Sequence, residues 1–131
     1  MFKKWCTYKG ISDAGRLVAI ISAILIIIGA FLPWISTAAG SSETGISGDG
    51  IITFVAGVLT LIFMFYRGRP HVFALLLGVI SATVGITDMI MMSNAMEGIN
   101  GSVGIGLYFT IIAGIGIFIG TTMEILRCKC K

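Results

Sequence analysis

The sequence predicts an all-α integral membrane protein: a bundle of four transmembrane helices with N and C termini cytoplasmic. Three observations predict it. The 131 residues are 56% hydrophobic and 11% charged, with a mean hydropathy of +1.03; about 25% charged is usual in soluble domains. A soluble chain this small cannot bury that much apolar surface. Four apolar stretches approach the roughly 20 residues that cross a bilayer as a helix. All nine Lys and Arg fall in three clusters at alternate ends of those stretches. The same figures exclude a disordered chain, a nucleic-acid-binding domain and a disulfide-stapled secreted module.

The first span is read at 17–35. Ser12 or Asp13 can cap its start, and Pro33 kinks or ends its last turn. The second, at 51–66, covers only about 24 Å at 1.5 Å per residue and needs a residue or two more at each end. The third is read at 71–92 and the fourth at 103–126. All are apolar nearly all the way round, and none shows the period-two alternation of a β-barrel. Arg67-Gly68-Arg69-Pro70 is a tight turn, which makes spans two and three antiparallel neighbours. Lys3, Lys4, Lys9 and Arg16 precede span one, and Arg127, Lys129 and Lys131 follow span four. The two remaining connections carry Glu43, Asp49 and Glu97 and no Lys or Arg. The positive-inside rule therefore places both termini in the cytoplasm, with the whole chain one transmembrane domain, 1–131, in the cell membrane. Trp34 and Tyr108 fall at the outer boundary and Trp5, Tyr8 and Tyr66 at the inner one, where amphipathic rings prefer to sit. The basic start and apolar 17–32 also fit a signal peptide; the chain is read with that segment retained.

The two outer connections echo each other. Gly45-Ile46-Ser47-Gly48 and Gly98-Ile99-Asn100-Gly101 each precede a re-entering helix, which raises the expectation of two similar helical hairpins. Small residues mark where membrane helices touch. Gly78, Ser81 and Gly85 share one face of span three, while Gly114, Gly116 and Gly120 lie on span four, where 116–120 is a GxxxG. A tight contact between spans three and four is expected.

Few residues can carry chemistry. Asp88 is the one acid well inside a span and is the candidate for a transport site. Its other reading is an acid near the helix end that snorkels to water or is hydrogen-bonded beside Thr87 and Ser93. Cys6, His71, Cys128 and Cys130 all fall at the cytoplasmic side and could hold a metal, although Cys-x-Cys lacks the usual zinc spacing and reduced thiols are the ordinary reading. Met89, Met91, Met92 and Met96 cluster near the end of span three, a packing feature more than a copper site. Asn100-Gly101-Ser102 is a glycosylation sequon on the outer side. No phosphate loop, triad or paired-acid motif is present, so an enzyme is not expected and no cofactor is called for.

Gly29-Ala-Phe-Leu-Pro33-Trp34, followed by Gly48-Asp49-Gly50 at the next helix, resembles uncharacterised small prokaryotic four-span membrane proteins. The resemblance covers spans one and two and implies topology. In size and span count the chain is similar to small multidrug resistance transporters, but it lacks their membrane-embedded Glu in the first helix. Claudin-like proteins share the span count, yet the first outer loop here has no cysteines. The expected function is an accessory or structural subunit of a larger membrane complex, with the bilayer and other subunits or further copies as partners and no nucleic acid. The alternatives are a small homo-oligomeric transporter or channel using Asp88 and, more weakly, a cytoplasmic-face metal or redox sensor.

Overall fold

The computed structural model describes residues 13–65, 71–98 and 100–129, the side chains of 13, 71 and 127–129 excepted. Four helices run up and down: α1 (Asp13–Phe31), α2 (Gly50–Phe65), α3 (His71–Met96) and α4 (Ile105–Lys129). The segments 14–31, 72–96 and 105–126 are long and apolar enough to cross a membrane, and α2 is a shorter apolar helix of 16 residues.

The expectation of an all-α chain needs correction. Between α1 and α2 lie strands β1 (Pro33–Thr37) and β2 (Ser42–Thr44), and β3 (Gly101–Val103) precedes α4. They form a three-stranded antiparallel sheet in the order β2-β1-β3. Its cause is local. Proline disfavours helical geometry in the residue before it and has no N–H to continue a helix, so α1 stops at Phe31 rather than reaching Ile35. Ile35 and Thr37 are β-branched and suit the extended chain that follows. Ile35 pairs with Glu43 on one side and with Val103 on the other. Gly40 turns the chain at φ +82°, a left-handed conformation open to glycine, and its N–H donates to the Thr37 carbonyl over 3.0 Å. The third span extends to Met96, beyond the expected 92, and the fourth begins at Ile105 because 101–103 is strand.

The expected similarity of the two hairpins is not carried into their connections. The first holds two strands and a 3₁₀ turn (Gly45–Ser47), whereas the second holds one strand that completes the first's sheet. The echoing glycines thus occupy different structures.

All three strands gather at one end of the bundle, the sheet end. The opposite end, the turn end, holds the start of α1 and the close of α2. There the Arg16 guanidinium donates to the Met64 carbonyl in the last turn of α2. A cation placed there complements the helix dipole.

Small residues fill the interior and large ones face outward. Ala19, Ala23, Ala30, Ala74 and Ala113 are buried, with Ile26 and Ile117 among them, while Leu17, Ile21, Ile24, Ile28 and Phe31 of α1 are exposed. This inversion suits a lipid solvent, in which side-chain burial supplies no drive and close backbone approach does. α4 makes the most extensive contacts, with α1 and with α3. Gly78 lies against Ile117 and Phe118, Gly85 against Ile111, and Gly114 against Ala82, which together form the α3–α4 seam. The GxxxG faces elsewhere: Gly116 meets Ser22, and Gly120 meets Gly15 and Ala19, all on α1. The buried hydroxyls of Thr53, Thr60, Thr110 and Thr121 donate to carbonyls three or four residues earlier in their own helices over 2.6–3.0 Å, so their burial leaves no donor unmet.

A Cβ at Gly114 would lie 2.8 Å from the Ala82 nitrogen and 3.0 Å from its Cα, both backbone and unable to yield. Gly114→Leu is therefore expected to lower stability in mixed micelles by about 1–3 kcal/mol. Gly98→Ala, where nothing lies within 4 Å, should leave the unfolding midpoint in place.

Candidate functional site

A cavity at the sheet end carries acids from different elements in its walls. It has a volume of about 180 Å³ and is lined by Trp34 and Ile35 of β1, Glu43 and Thr44 of β2, Gly45, Gly48 and Asp49 ahead of α2, and Asp88 and Met92 of α3.

Trp34 sets the floor. It is only 2% exposed, and its indole Nε1–H donates to the Gly29 carbonyl over 3.0 Å. Tryptophan suits this place because it buries a large apolar body while spending its single donor on a helix-end carbonyl that the Leu32 N–H reaches only over 3.3 Å. Glycine is required around it. A Cβ at Gly45 would collide with the ring, and one at Gly106 would come within 2.8 Å of Cδ1. The Gly104 N–H donates to the Trp34 carbonyl over 2.6 Å, which binds the entry of α4 to β1. The ring therefore ties together the end of α1, the 3₁₀ turn and the start of α4.

The acids come from three elements. Asp49 immediately precedes α2, and its carbonyl accepts the Ile52 N–H over 3.0 Å. An acid at a helix N-terminus is electrostatically favoured, so the position has a local reason as well as a role in the cavity. Glu43 projects from the exposed strand β2. Asp88 is 7% exposed, and its Oδ2 is buried without a hydrogen-bond partner. Asp49 lines the same cavity, close enough for its charge to act on Asp88. Asp88 lines the sheet-end cavity, and the hydroxyl of the neighbouring Thr87 donates to the Thr83 carbonyl.

Sequence reasoning found Asp88 and missed its neighbours Asp49 and Glu43, which lie 39 and 45 positions earlier. A signal for Asp49 was present in Gly48-Asp49-Gly50, an acid framed by glycines at a helix start on the side without cations. Asn100 is exposed, and its carbonyl accepts the Ala38 N–H over 2.9 Å. Cys6 and Cys130 lie outside the described residues, as do the side chains of His71 and Cys128. Among the described residues no three His, Cys, Asp or Glu side chains are grouped to hold a metal ion.

A second concavity, of about 320 Å³, lies along the α2–α3 seam and is lined by Ile51, Ile52, Val55, Ala56, Leu59, Leu77 and Ile80. Its walls are apolar throughout.

The chain matches no protein-family model, no curated protein and no solved structure.

Trp34→Phe removes the bond to Gly29 while keeping a ring on the Gly45 seat. The expected cost is about 1 kcal/mol, the usual net worth of one hydrogen bond, read as a lowered unfolding midpoint with unchanged helical circular dichroism.

Proposed function

We propose that the protein is a non-enzymatic, multi-pass protein of the cell membrane that serves as an accessory or structural subunit of a larger membrane complex. In this reading the turn end and both termini face the cytoplasm. The distribution of Lys and Arg supports that orientation. The open sheet supports it too, since its unpaired edge groups need water or headgroups and cannot lie in hydrocarbon.

The observation that carries the subunit reading is the short helix α2 beside the apolar seam it shares with α3. Sixteen residues cover about 24 Å, less than the roughly 30 Å hydrocarbon core. A short helix relieves such mismatch by thinning the bilayer, by snorkelling or by associating with a neighbour. Val55, Leu59, Ile52 and Ile80 stand exposed along that seam. They present a surface on which a helix from another subunit can seat without any polar group to satisfy.

Purification from native membranes in mild detergent tests this. A second, different chain should co-purify, and Val55→Trp, which fills the seam, should reduce its yield several-fold. A lone monomer or a pure homo-oligomer would overturn the reading.

One observation favours a second reading, a homo-oligomeric transporter or channel using Asp88: the acid is buried against a cavity rather than displayed to solvent. The interior of a single bundle is filled by Ala23, Ile26, Ala113 and Ile117, so a path would run between copies. Reconstituted protein should then conduct a proton or cation flux that Asp88→Asn abolishes; equal flux in both forms removes this reading.

A further inference from the structure

Asp88 presents an acceptor without a donor. It is more than nine-tenths buried, its Oδ2 has no partner, and it faces a cavity. Buried carboxyl oxygens are ordinarily paired, because leaving one unmet costs the desolvation of the group. Asp49 beside it adds like charge, and Glu43 adds a third acid at the wall. Among the described side chains none supplies the missing cation. No Lys or Arg occurs in 17–66 or in 70–126. Arg16 is at the far end of α1 and is bonded to Met64; the 19 residues of α1 correspond to about 28 Å.

The geometry points to a binding site for a primary alkylammonium group in the sheet-end cavity, with the N–H donors on Asp88 and Asp49 and the carbon chain against Ile35 and Met92. The volume of about 180 Å³ exceeds several times the roughly 30 Å³ share of a water molecule, so the space accepts an ammonium head with a short chain. A compact divalent ion fits less well. It demands several oxygen ligands at 2.0–2.6 Å, and the acids of the described residues are not grouped that closely. An ammonium needs only two or three acceptors arranged loosely about three donors. The same chemistry is offered by a small soluble amine and by the headgroup of an ethanolamine lipid. This inference is independent of the subunit reading, since none of the residues lining the cavity lines the apolar seam.

The sequence contains two tryptophans, so Trp5→Phe leaves Trp34, the cavity floor, as the sole indole reporter. The full chain in phosphatidylcholine nanodiscs would be titrated with ethylammonium, tetramethylammonium and calcium, and compared with nanodiscs containing phosphatidylethanolamine. A saturable change in Trp34 emission is expected with ethylammonium or on introducing the ethanolamine lipid, and none with tetramethylammonium, which has no N–H. The first response identifies a soluble amine as the ligand source and the second a lipid headgroup. Asp88→Asn should weaken binding at least about tenfold, as expected for loss of a charge-assisted bond. Asp49→Asn, at an exposed position that the bundle does not need, should weaken it several-fold even if the Asp88 variant fails to fold. No response to either amine, a response to calcium alone, an equal response to tetramethylammonium, or a response that survives Asp49→Asn and Asp88→Asn would each overturn the proposal.

Discussion

Close approach between helix backbones is the constraint from which the rest of this structure follows. In a lipid solvent, apolar side chains lose nothing by facing outward, so helices hold together where van der Waals contact between backbones is densest. Gly15 against Gly120, Gly29 against Gly106 and Gly114 against Ala82 provide that density along α4. Because α4 is pressed to α1 on one side and to α3 on the other, it acts as the spine of the bundle. α2 has less of this contact, which leaves the apolar seam beside it.

The same closeness builds the sheet end. With Gly106 backed onto Gly29, the chain entering α4 passes directly over the chain leaving α1. There the Gly104 N–H reaches the Trp34 carbonyl, and β3 pairs with β1. Trp34 then lies between glycines, and its indole fills the space where β1, the 3₁₀ turn and α4 converge. The cavity is the gap this arrangement leaves between the sheet, the start of α2 and the upper part of α3. Its acids are neighbours only because α2 and α3, adjacent antiparallel helices, bring residue 49 and residue 88 to the same level.

Polar groups divide by what is within reach. Each buried threonine hydroxyl finds a carbonyl one turn back in its own helix, so these residues are neutral fillers of the seams. Asp88 has no such local partner for Oδ2, and its surroundings are acidic. An aspartate side chain accepts when ionised and cannot be satisfied by the carbonyls that serve a hydroxyl. That difference separates Asp88 from the buried threonines and gives the cavity its chemical character.

Four apolar helices, their up-and-down order and an acid well inside the third were legible in the residues, because length, hydropathy and the position of Asp88 are properties of contiguous stretches. Pro33 marked the close of α1 on the same local ground. What followed Pro33 was not legible. A three-residue strand such as Gly101–Val103 has no pattern of its own and exists only because β1 lies beside it. The small residues of span four likewise announced contact without saying with which helix, and only the packed bundle assigned Gly114 to α3 and Gly116 and Gly120 to α1. The cavity that Asp49 and Asp88 share joins positions 39 residues apart in the chain. Local chemistry governs where a chain can be helical and apolar; which side chains then share a cavity depends on how closely distant backbones can approach, and that is decided in three dimensions.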